Sequence, residues 1–231
     1  MIIMSWNIRG CNCPLKQQEL KKVLQNNNVD IVAVLETRVK SHKMGKIIKK
    51  LGDYGYAENY NCHLNGRIWV LWKKNKIDVS IIYKSSQLIH CEITTNSHRF
   101  LVSFIYAAND ANVRNDLWKA LIDIGQNVQS PWVCMGDFNV VRAADEKISY
   151  AYPDLNAIAA FNNCLSHIKM TDLAYTGQFY TWSNKQDADN RIWAKLDRIM
   201  VNTLWMQSSI SATAHFSEPG ISDHAPACLK I

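Results

Sequence analysis

The chain has 231 residues, a hydrophobic fraction of 48%, a charged fraction of 20% and a formal net charge of +6. These are the proportions of a soluble globular protein that can bury a core without disulfide staples, and the mild basic excess permits a polyanionic partner. They leave no membrane span, since no apolar run reaches the ~18 residues required, and no signal peptide, since the apolar start is cut short by Asn7 and Arg9 and lacks a basic leader.

The seven cysteines (Cys11, Cys13, Cys62, Cys91, Cys134, Cys164 and Cys228) are odd in number and form no C-x-x-C pair. Cys11 and Cys13 are too close for the usual zinc spacing, and several of the others stand in apolar context, where cysteine packs as a small hydrophobe. The expectation is a reducing compartment and no zinc.

In chain order, 2–6 reads as a short strand followed by the loop Asn7-Ile8-Arg9-Gly10. Pro14 sits where it can open a helix, striped by Leu20, Val23 and Leu24 and ended by Asn26-Asn27-Asn28. The apolar run 30–35 is a second strand with Glu36 at its end. This β–α–β unit leaves Asn7 and Glu36 at carboxyl ends of strands, where open α/β sheets place ligands. A short basic helix is expected over 41–51. The stretches 54–60, 67–72, 77–83, 88–95 and 99–106 read as an antiparallel meander, with Asn65-Gly66 a strong hairpin turn and Asn96-Ser97 a weaker one.

Helical spacing returns near Asn112, with Val113, Leu117, Leu121 and Ile124 on one face. The stretch Trp132-Val133-Cys134-Met135-Gly136-Asp137-Phe138-Asn139 then begins as a buried strand and ends by delivering an acid and an amide. Asp145 and Glu146 read as solvated loop acids. Asp154 is placed as the N-cap of a helix with Leu155, Ile158, Leu165 and Ile168 on one side. The segments 178–183 and 191–196 flank a polar loop as a long hairpin. A short helix is expected over 203–207, and strands over 210–216 and 227–231 around the loop Ser222-Asp223-His224. No fixed-period repeat and no Pro/Gly-rich boundary interrupts the chain. The strands outnumber what one open sheet usually carries, and the helices come in two groups. The expected fold is α/β: a four-layer α/β sandwich of two packed, mainly antiparallel sheets flanked by helices, with residues 1–231 as one domain.

The polar residues at strand ends and in short loops are Asn7, Glu36, Tyr106, Asn109, Asp137, Asn139, Asp197, Asp223 and His224. Taken singly, Asn7 and Asn109 are ordinary turn residues, Tyr106 a sheet tyrosine and His224 a structural histidine. Taken jointly, their carboxylates and amides are hard oxygen donors that suit Mg²⁺ rather than zinc. A divalent ion stabilises a leaving alkoxide, an aspartate orients or deprotonates water, and a carboxylate-held histidine donates to the developing phosphorane. Phosphodiester hydrolysis needs these three roles.

Six motifs in order, Trp6-Asn7-Ile8-Arg9-Gly10, Leu35-Glu36-Thr37, Ile105-Tyr106-Ala107-Ala108-Asn109, Gly136-Asp137-Phe138-Asn139, Leu196-Asp197-Arg198 and Ser222-Asp223-His224, make the chain resemble the exonuclease–endonuclease–phosphatase superfamily over essentially its whole length. Within it, Asn-Ile-Arg-Gly, Phe179-Tyr180-Thr181-Trp182-Ser183-Asn184 and Lys195-Leu196-Asp197-Arg198-Ile199-Met200-Val201 most resemble the endonuclease domain of plant LINE-type (non-LTR) retrotransposons. The resemblance implies that Glu36 ligates Mg²⁺ (Mn²⁺ as a substitute) with Asn7 beside it and Asp223 completing the metal-side cluster. Asp137, supported by Asn139, would align or activate water. Tyr106 and Asn109 would contact the scissile phosphate or leaving group, and His224, partnered by Asp197, would hydrogen-bond the phosphate. It implies a nick in double-stranded DNA with a free 3′-hydroxyl that primes reverse transcription, a reverse transcriptase domain in the same polyprotein from which this chain looks excised, and action in the nucleus.

Two departures from the family pattern stand out. Abasic-site repair relatives carry an aspartate where this chain has Arg9, which weakens the alternative of an abasic-site repair endonuclease, leaves that of a phosphoesterase of the same superfamily open, and leaves the metal side one acid short. The proline usual after the catalytic tyrosine is replaced by Ala107-Ala108, which puts the rigidity of that loop in question. For DNA contact, Trp182, Lys185, Arg191, Trp193, Lys195 and Arg198 cluster around the second hairpin, basic residues interleaved with aromatics. Trp182 and Trp193 stand open between packing the sandwich and wedging into DNA. Lys16, Lys21, Lys22 and the lysines of 43–50 read as a solvated helix face.

Overall fold

Alternation along the first strand sets the layering. Strand β1 (Ile2–Asn7) sends Ile3 into one buried cluster and Met4 and Trp6 into another, as a period-2 element between two apolar layers must. The structure is a computed structural model that describes residues 1–64 and 67–231, so the expected Asn65-Gly66 turn lies outside the described residues.

Helix α1 (Pro14–Asn26) crosses to β2 (Ile31–Leu35), which pairs with β1 in parallel, and α2 (Ser41–Leu51) follows. β3 (Gly55–Glu58) and β4 (Ile68–Trp72) extend that sheet antiparallel. The meander is β5 (Asp78–Lys84), β6 (Leu88–Thr94) and β7 (Arg99–Tyr106). Helix α3 (Ala111–Asn127) returns the chain to β8 (Trp132–Asp137), parallel to β7. There follow β9 (Lys147–Ile148), α4 (Leu155–His167), β10 (Met170–Asp172), β11 (Tyr175–Gly177) and β12 (Trp182–Ser183). β13 (Trp193–Ala194), β14 (Asp197–Asn202), α5 (Thr203–Gln207), β15 (Thr213–Phe216) and β16 (Ala227–Lys230) complete the described elements.

Among the described residues, one sheet has the order β11-β15-β16-β1-β2-β4-β3 and the other β10-β14-β8-β7-β6-β5; β12, β13 and β9 make a small third sheet. The two large sheets share one core, to which Ile3, Ala33 and Val70 contribute from one side and Phe104, Val133 and Ile199 from the other. Helices α1 and α2 cover the outer face of the first sheet over Trp6, Val34 and Trp69. Helices α3 and α4 cover the second over Ile105, Trp132 and Met200. The four-layer α/β sandwich is therefore the fold. No helix of the described residues is long and apolar enough to cross a membrane.

Local departures have local causes. Asp154 caps α4 as expected, accepting from the amides of Asn156 and Ala157, and Asp110 caps α3 in the same way without having been anticipated. Leu155 and Val113, placed on apolar faces by spacing, are instead 70% and 50% exposed. They lie in the first turns of these helices, which border an open cleft rather than a sheet. The long second hairpin shrinks to the pairs Trp182–Ala194 and Ser183–Trp193, because Asn184 folds the loop on itself through Asn190 O and the Ile192 amide. Cys11, Cys91, Cys134 and Cys164 pack in the apolar clusters, and burial pushes their thiols up.

Candidate active site

Parallel pairing aligns carboxyl ends. Asn7 lies beside Leu35, which precedes Glu36, and Tyr106 lies beside Asp137. Strand β14 enters antiparallel, so its first residue, Asp197, stands opposite Asp137. The two sheets meet here: Asn7 Nδ2 donates to Asp137 Oδ2 at 2.9 Å. Asn7, Asp137, Asn139, Glu36, Asn109, Asp223 and His224 all line one cleft of about 310 Å³. Gly136 makes the approach of β8 to β7 possible. Its φ is +136°, and a Cβ there would stand 2.1 Å from Ile105 O, a contact no side chain survives.

His224 is 4% exposed. Its Nδ1 lies 2.9 Å from Asp197 Oδ2 and its Nε2 3.8 Å from Asp137 Oδ2. Trp6 Nε1 donates to its carbonyl, and Thr181 Oγ1 accepts from the Leu196 and Asp197 amides. Burial alone would lower the imidazole pKa; the Asp197 and Asp137 carboxylates outweigh it and raise it to about 9. Burial pushes Asp137 up, to about 7, against the pull of the His224 charge. Asn139 holds the Asp137 carboxylate twice more, through its backbone amide on Oδ1 at 2.9 Å and its side-chain Nδ2 on Oδ2 at 3.3 Å. Asn139 itself turns in the left-handed region, φ +50°.

The Ala107-Ala108 departure does not loosen its loop. The Ala107 amide donates to Asp137 O and the Ala108 amide to Gln87 Oε1. The two carbonyls accept from Asn139 Nδ2 and Arg114 Nη1. Ala108 thus uses an N–H that a proline would lack. Tyr106 is buried beneath this loop. Burial first, then the Glu36 and Asp137 charges, raise its phenol far above the ordinary value, so it stays protonated. Asn109 is exposed at the rim, and its carbonyl is held by Arg114.

On the other side, Glu36 adopts φ +51° and pairs with Arg38, while Asp223 pairs with Arg9 and accepts from Trp182 Nε1 at 3.0 Å. Burial would raise Asp223; His224, Trp182 and Arg9 together hold it below the usual carboxylate range. Glu36 and Asp223 bring carboxylate oxygens to the cleft and Asn7 an amide oxygen that accepts from the Arg9 amide, and oxygen ligands of this kind fit a hard divalent cation. Asp137, Asp197 and His224 also bring ligand atoms within 4.8 Å of one another, where the His224–Asp197 hydrogen bond and the donors on Asp137 already engage them.

Two residues expected to touch DNA are corrected. Arg198 is fully buried and ion-paired with Glu146 and Asp172, so no phosphate reaches it. Lys195 is 5% exposed, with Nζ on the Tyr175 hydroxyl and over the Tyr175 and Phe179 rings. The same network corrects Glu146, which is a buried arginine's partner rather than a solvated loop acid. Lys16 is likewise tied down, on the carbonyls of Ile8 and Arg9. Trp182 neither fills the sandwich nor projects as a wedge; its half-buried indole walls the cleft beside His224. Lys185 and Arg191 are exposed on the loop outside the cleft, Arg191 over the Trp193 ring. Sequence reasoning missed Trp6 and Arg114, which position the site through backbone carbonyls, and Arg38. Only the adjacency of Arg38 to Glu36 offered a signal.

The centre of the cleft is thus a histidine–carboxylate pair facing a buried aspartate where the two sheets meet. Residues 4–224 match the model of the Endonuclease/Exonuclease/phosphatase family, and the chain belongs to that family. Its fold is similar to an AP endonuclease from Archaeoglobus fulgidus, at 16% identity and TM-score 0.74 over 100% of this chain and 99% of that one. It is also similar to a 3′-5′ exonuclease (NExo) from Neisseria meningitidis, at 18% identity and TM-score 0.74 with the same coverage. A third likeness is the endonuclease domain of TRAS1, a telomere-specific non-LTR retrotransposon, at 12% identity and TM-score 0.73 over 100% and 97% of the two chains.

Proposed function

We propose that this chain is a divalent-cation-dependent DNA endonuclease that hydrolyses one phosphodiester of double-stranded DNA and leaves a nick with a 3′-hydroxyl. The observation that carries the reading is one cleft in which the His224–Asp197 pair and Asp137 face the oxygen donors of Glu36, Asn7 and Asp223.

The residues divide the reaction between them. Asp137 takes a proton from water as the water oxygen bonds to phosphorus. The P–O3′ bond breaks, the departing oxygen takes up a proton to become the 3′-hydroxyl, and a 5′-phosphate remains on the other fragment. His224, kept as imidazolium by Asp197, donates from Nε2 to a non-bridging oxygen as negative charge builds there. Tyr106, protonated, and Asn109, at the rim, donate to the phosphate or the departing oxygen. Asn7 and Asn139 fix the Asp137 carboxylate. Glu36, Asn7 and Asp223 would hold Mg²⁺, with Mn²⁺ a substitute, and the bound ion supplies Lewis-acid stabilisation of the phosphate and the leaving oxygen.

The finer reading is a LINE-type retrotransposon endonuclease, one module of a longer polyprotein acting in the nucleus, whose nick primes a reverse transcriptase domain of the same polyprotein. The six ordered motifs and the likeness to the TRAS1 domain support it. Trp182 would meet DNA at the cleft wall, and Lys185 and Arg191 would meet phosphates beside it. Rates on intact supercoiled plasmid, an abasic duplex and a small phosphomonoester test the substrate. The reading expects plasmid nicking without a strong abasic preference. A strong abasic preference would make this a repair enzyme instead, and turnover of the phosphomonoester alone would make it a phosphatase.

A further inference from the structure

Two arginines flank the metal side, and the activity proposed above uses neither. Arg9 follows β1 and Arg38 follows β2. Backbone hydrogen bonds zip their loops together: Ile8 N to Leu35 O at 3.2 Å, Gly10 N to Glu36 O at 2.8 Å and Cys11 N to Thr37 O at 2.7 Å. The Arg38 side chain crosses Gly10, its Cδ 3.7 Å from where a Cβ would stand. Arg9, Glu36 and Arg38 all adopt left-handed φ, at 49°, 51° and 52°, an arrangement that costs energy in non-glycine residues and concentrates at functional sites. Lys16 Nζ holds the Ile8 and Arg9 carbonyls at 2.7 and 2.8 Å, and Asn12 Nδ2 holds the Arg38 carbonyl at 2.6 Å. The backbones are fixed, yet the arginine side chains are 50% and 59% exposed, while their partners Asp223 and Glu36 are 7% and 12% exposed.

We infer that Arg9 and Arg38 are an exchangeable guanidinium pair: they neutralise Asp223 and Glu36 in the metal-free protein, release both carboxylates to a divalent cation, and then grip the phosphodiester backbone at the cleft mouth. The inference rests on the proposed metal side. Each carboxylate oxygen engaged by a guanidinium is withheld from a cation, and two positive groups a few ångströms away repel its charge. A released guanidinium stays at the mouth of the cleft, because its backbone is anchored by these hydrogen bonds, and its planar fork suits phosphate oxygens. The residue that leaves this family member one acid short thus supplies a phosphate contact in its place.

The test is direct Mn²⁺ binding without nucleic acid, followed by the EPR signal of the free ion. It compares wild type with Arg9→Asn and Arg38→Asn, since asparagine tolerates the left-handed backbone. Each variant should bind Mn²⁺ roughly fivefold more tightly, the scale of a partly exposed ion pair. Arg9→Lys and Arg38→Lys, which keep the charge, should bind more weakly than the Asn variants, and circular dichroism checks the fold of all four. In an Asp137→Asn background, which prevents cleavage, adding Mg²⁺ should make duplex DNA affinity depend on Arg9 and Arg38, with no such dependence in its absence. Measurable Mn²⁺ affinity that is unchanged or weaker in both Asn variants overturns the exchange alone. No Mn²⁺ binding by any protein overturns the metal side and the exchange with it.

Discussion

His224 shows how much of a side chain's chemistry is set by its neighbours. Burial works against its positive charge and the Asp197 and Asp137 carboxylates win, so the imidazolium persists until about pH 9. A raised pKa means that the donor form is complete at neutral pH and lost as pH rises through that value. The alkaline limb of the nicking rate should therefore lie near pH 9. Asp197→Asn should move it to lower pH and cut the rate by about 10²-fold or more, the scale of one acid–base partner. A pH–rate profile of both proteins checks this. His90 has the opposite sign. It is 2% exposed, with Nδ1 2.8 Å from Ser103 Oγ, and burial pushes its pKa down to about 4. The unfolded chain binds a proton near pH 6.5 that the folded chain refuses. Its contribution is intact above about pH 6.5 and falls by about 1.4 kcal/mol per unit as pH drops toward 4. Urea unfolding at pH 7 and pH 5 should show that slope reduced in His90→Gln.

At the scale of elements, β8 and β14 carry Asp137 and Asp197, the aspartates proposed to be catalytic, and each strand depends on a residue outside the cleft. Gly136→Ala would drive a methyl into the Ile105 carbonyl and separate β8 from β7, so it should abolish nicking together with cooperative unfolding, as read by thermal denaturation. Arg198 ties β14 to β10 and to the Glu146 turn. Arg198→Met leaves two acids without their buried cation and should cost about 3 kcal/mol of stability. The salt slope of DNA binding should not change, whereas Lys185→Gln or Arg191→Gln should lower that slope by about 1. The strands and caps on which this rests were legible in the sequence where a local rule decides them, as for the Asp154 cap and the short helix α5. The second hairpin was not, because Asn184 spends its side chain folding the loop, and nothing in a basic–aromatic pattern separates a phosphate-seeking arginine from a buried one. Arg198 and Lys195 look the same as Lys185 in sequence; only the acids and rings that the fold brings to them, distant in the chain, tell them apart.

Across the whole molecule, the site is where two sheets meet at the carboxyl ends of their parallel pairs, β1 with β2 and β7 with β8. Their order along the chain was enough to read the four-layer sandwich and to bring nine polar residues under suspicion. It could not give the contacts between segments distant in the chain: Asn7 on Asp137, Trp6 on the His224 carbonyl, or Arg9 on Asp223. Those unite residues up to 218 positions apart, and they turn a set of strand ends into one cleft. Charge is also unevenly spread. Residues 1–50 hold ten lysines and arginines against three acids, so the rest of the chain carries a net −1. A polyanion should therefore approach preferentially on the side of α1 and α2, and association should weaken as salt rises. The most direct test of the account is the conversion of supercoiled plasmid to open circles in Mg²⁺ by wild type, Asp137→Asn and His224→Ala. Wild type should leave nicks that a polymerase extends from a 3′-hydroxyl, and both variants should leave the plasmid supercoiled. Nicking that persists at the wild-type rate in both would contradict the assignment of this cleft as the catalytic site.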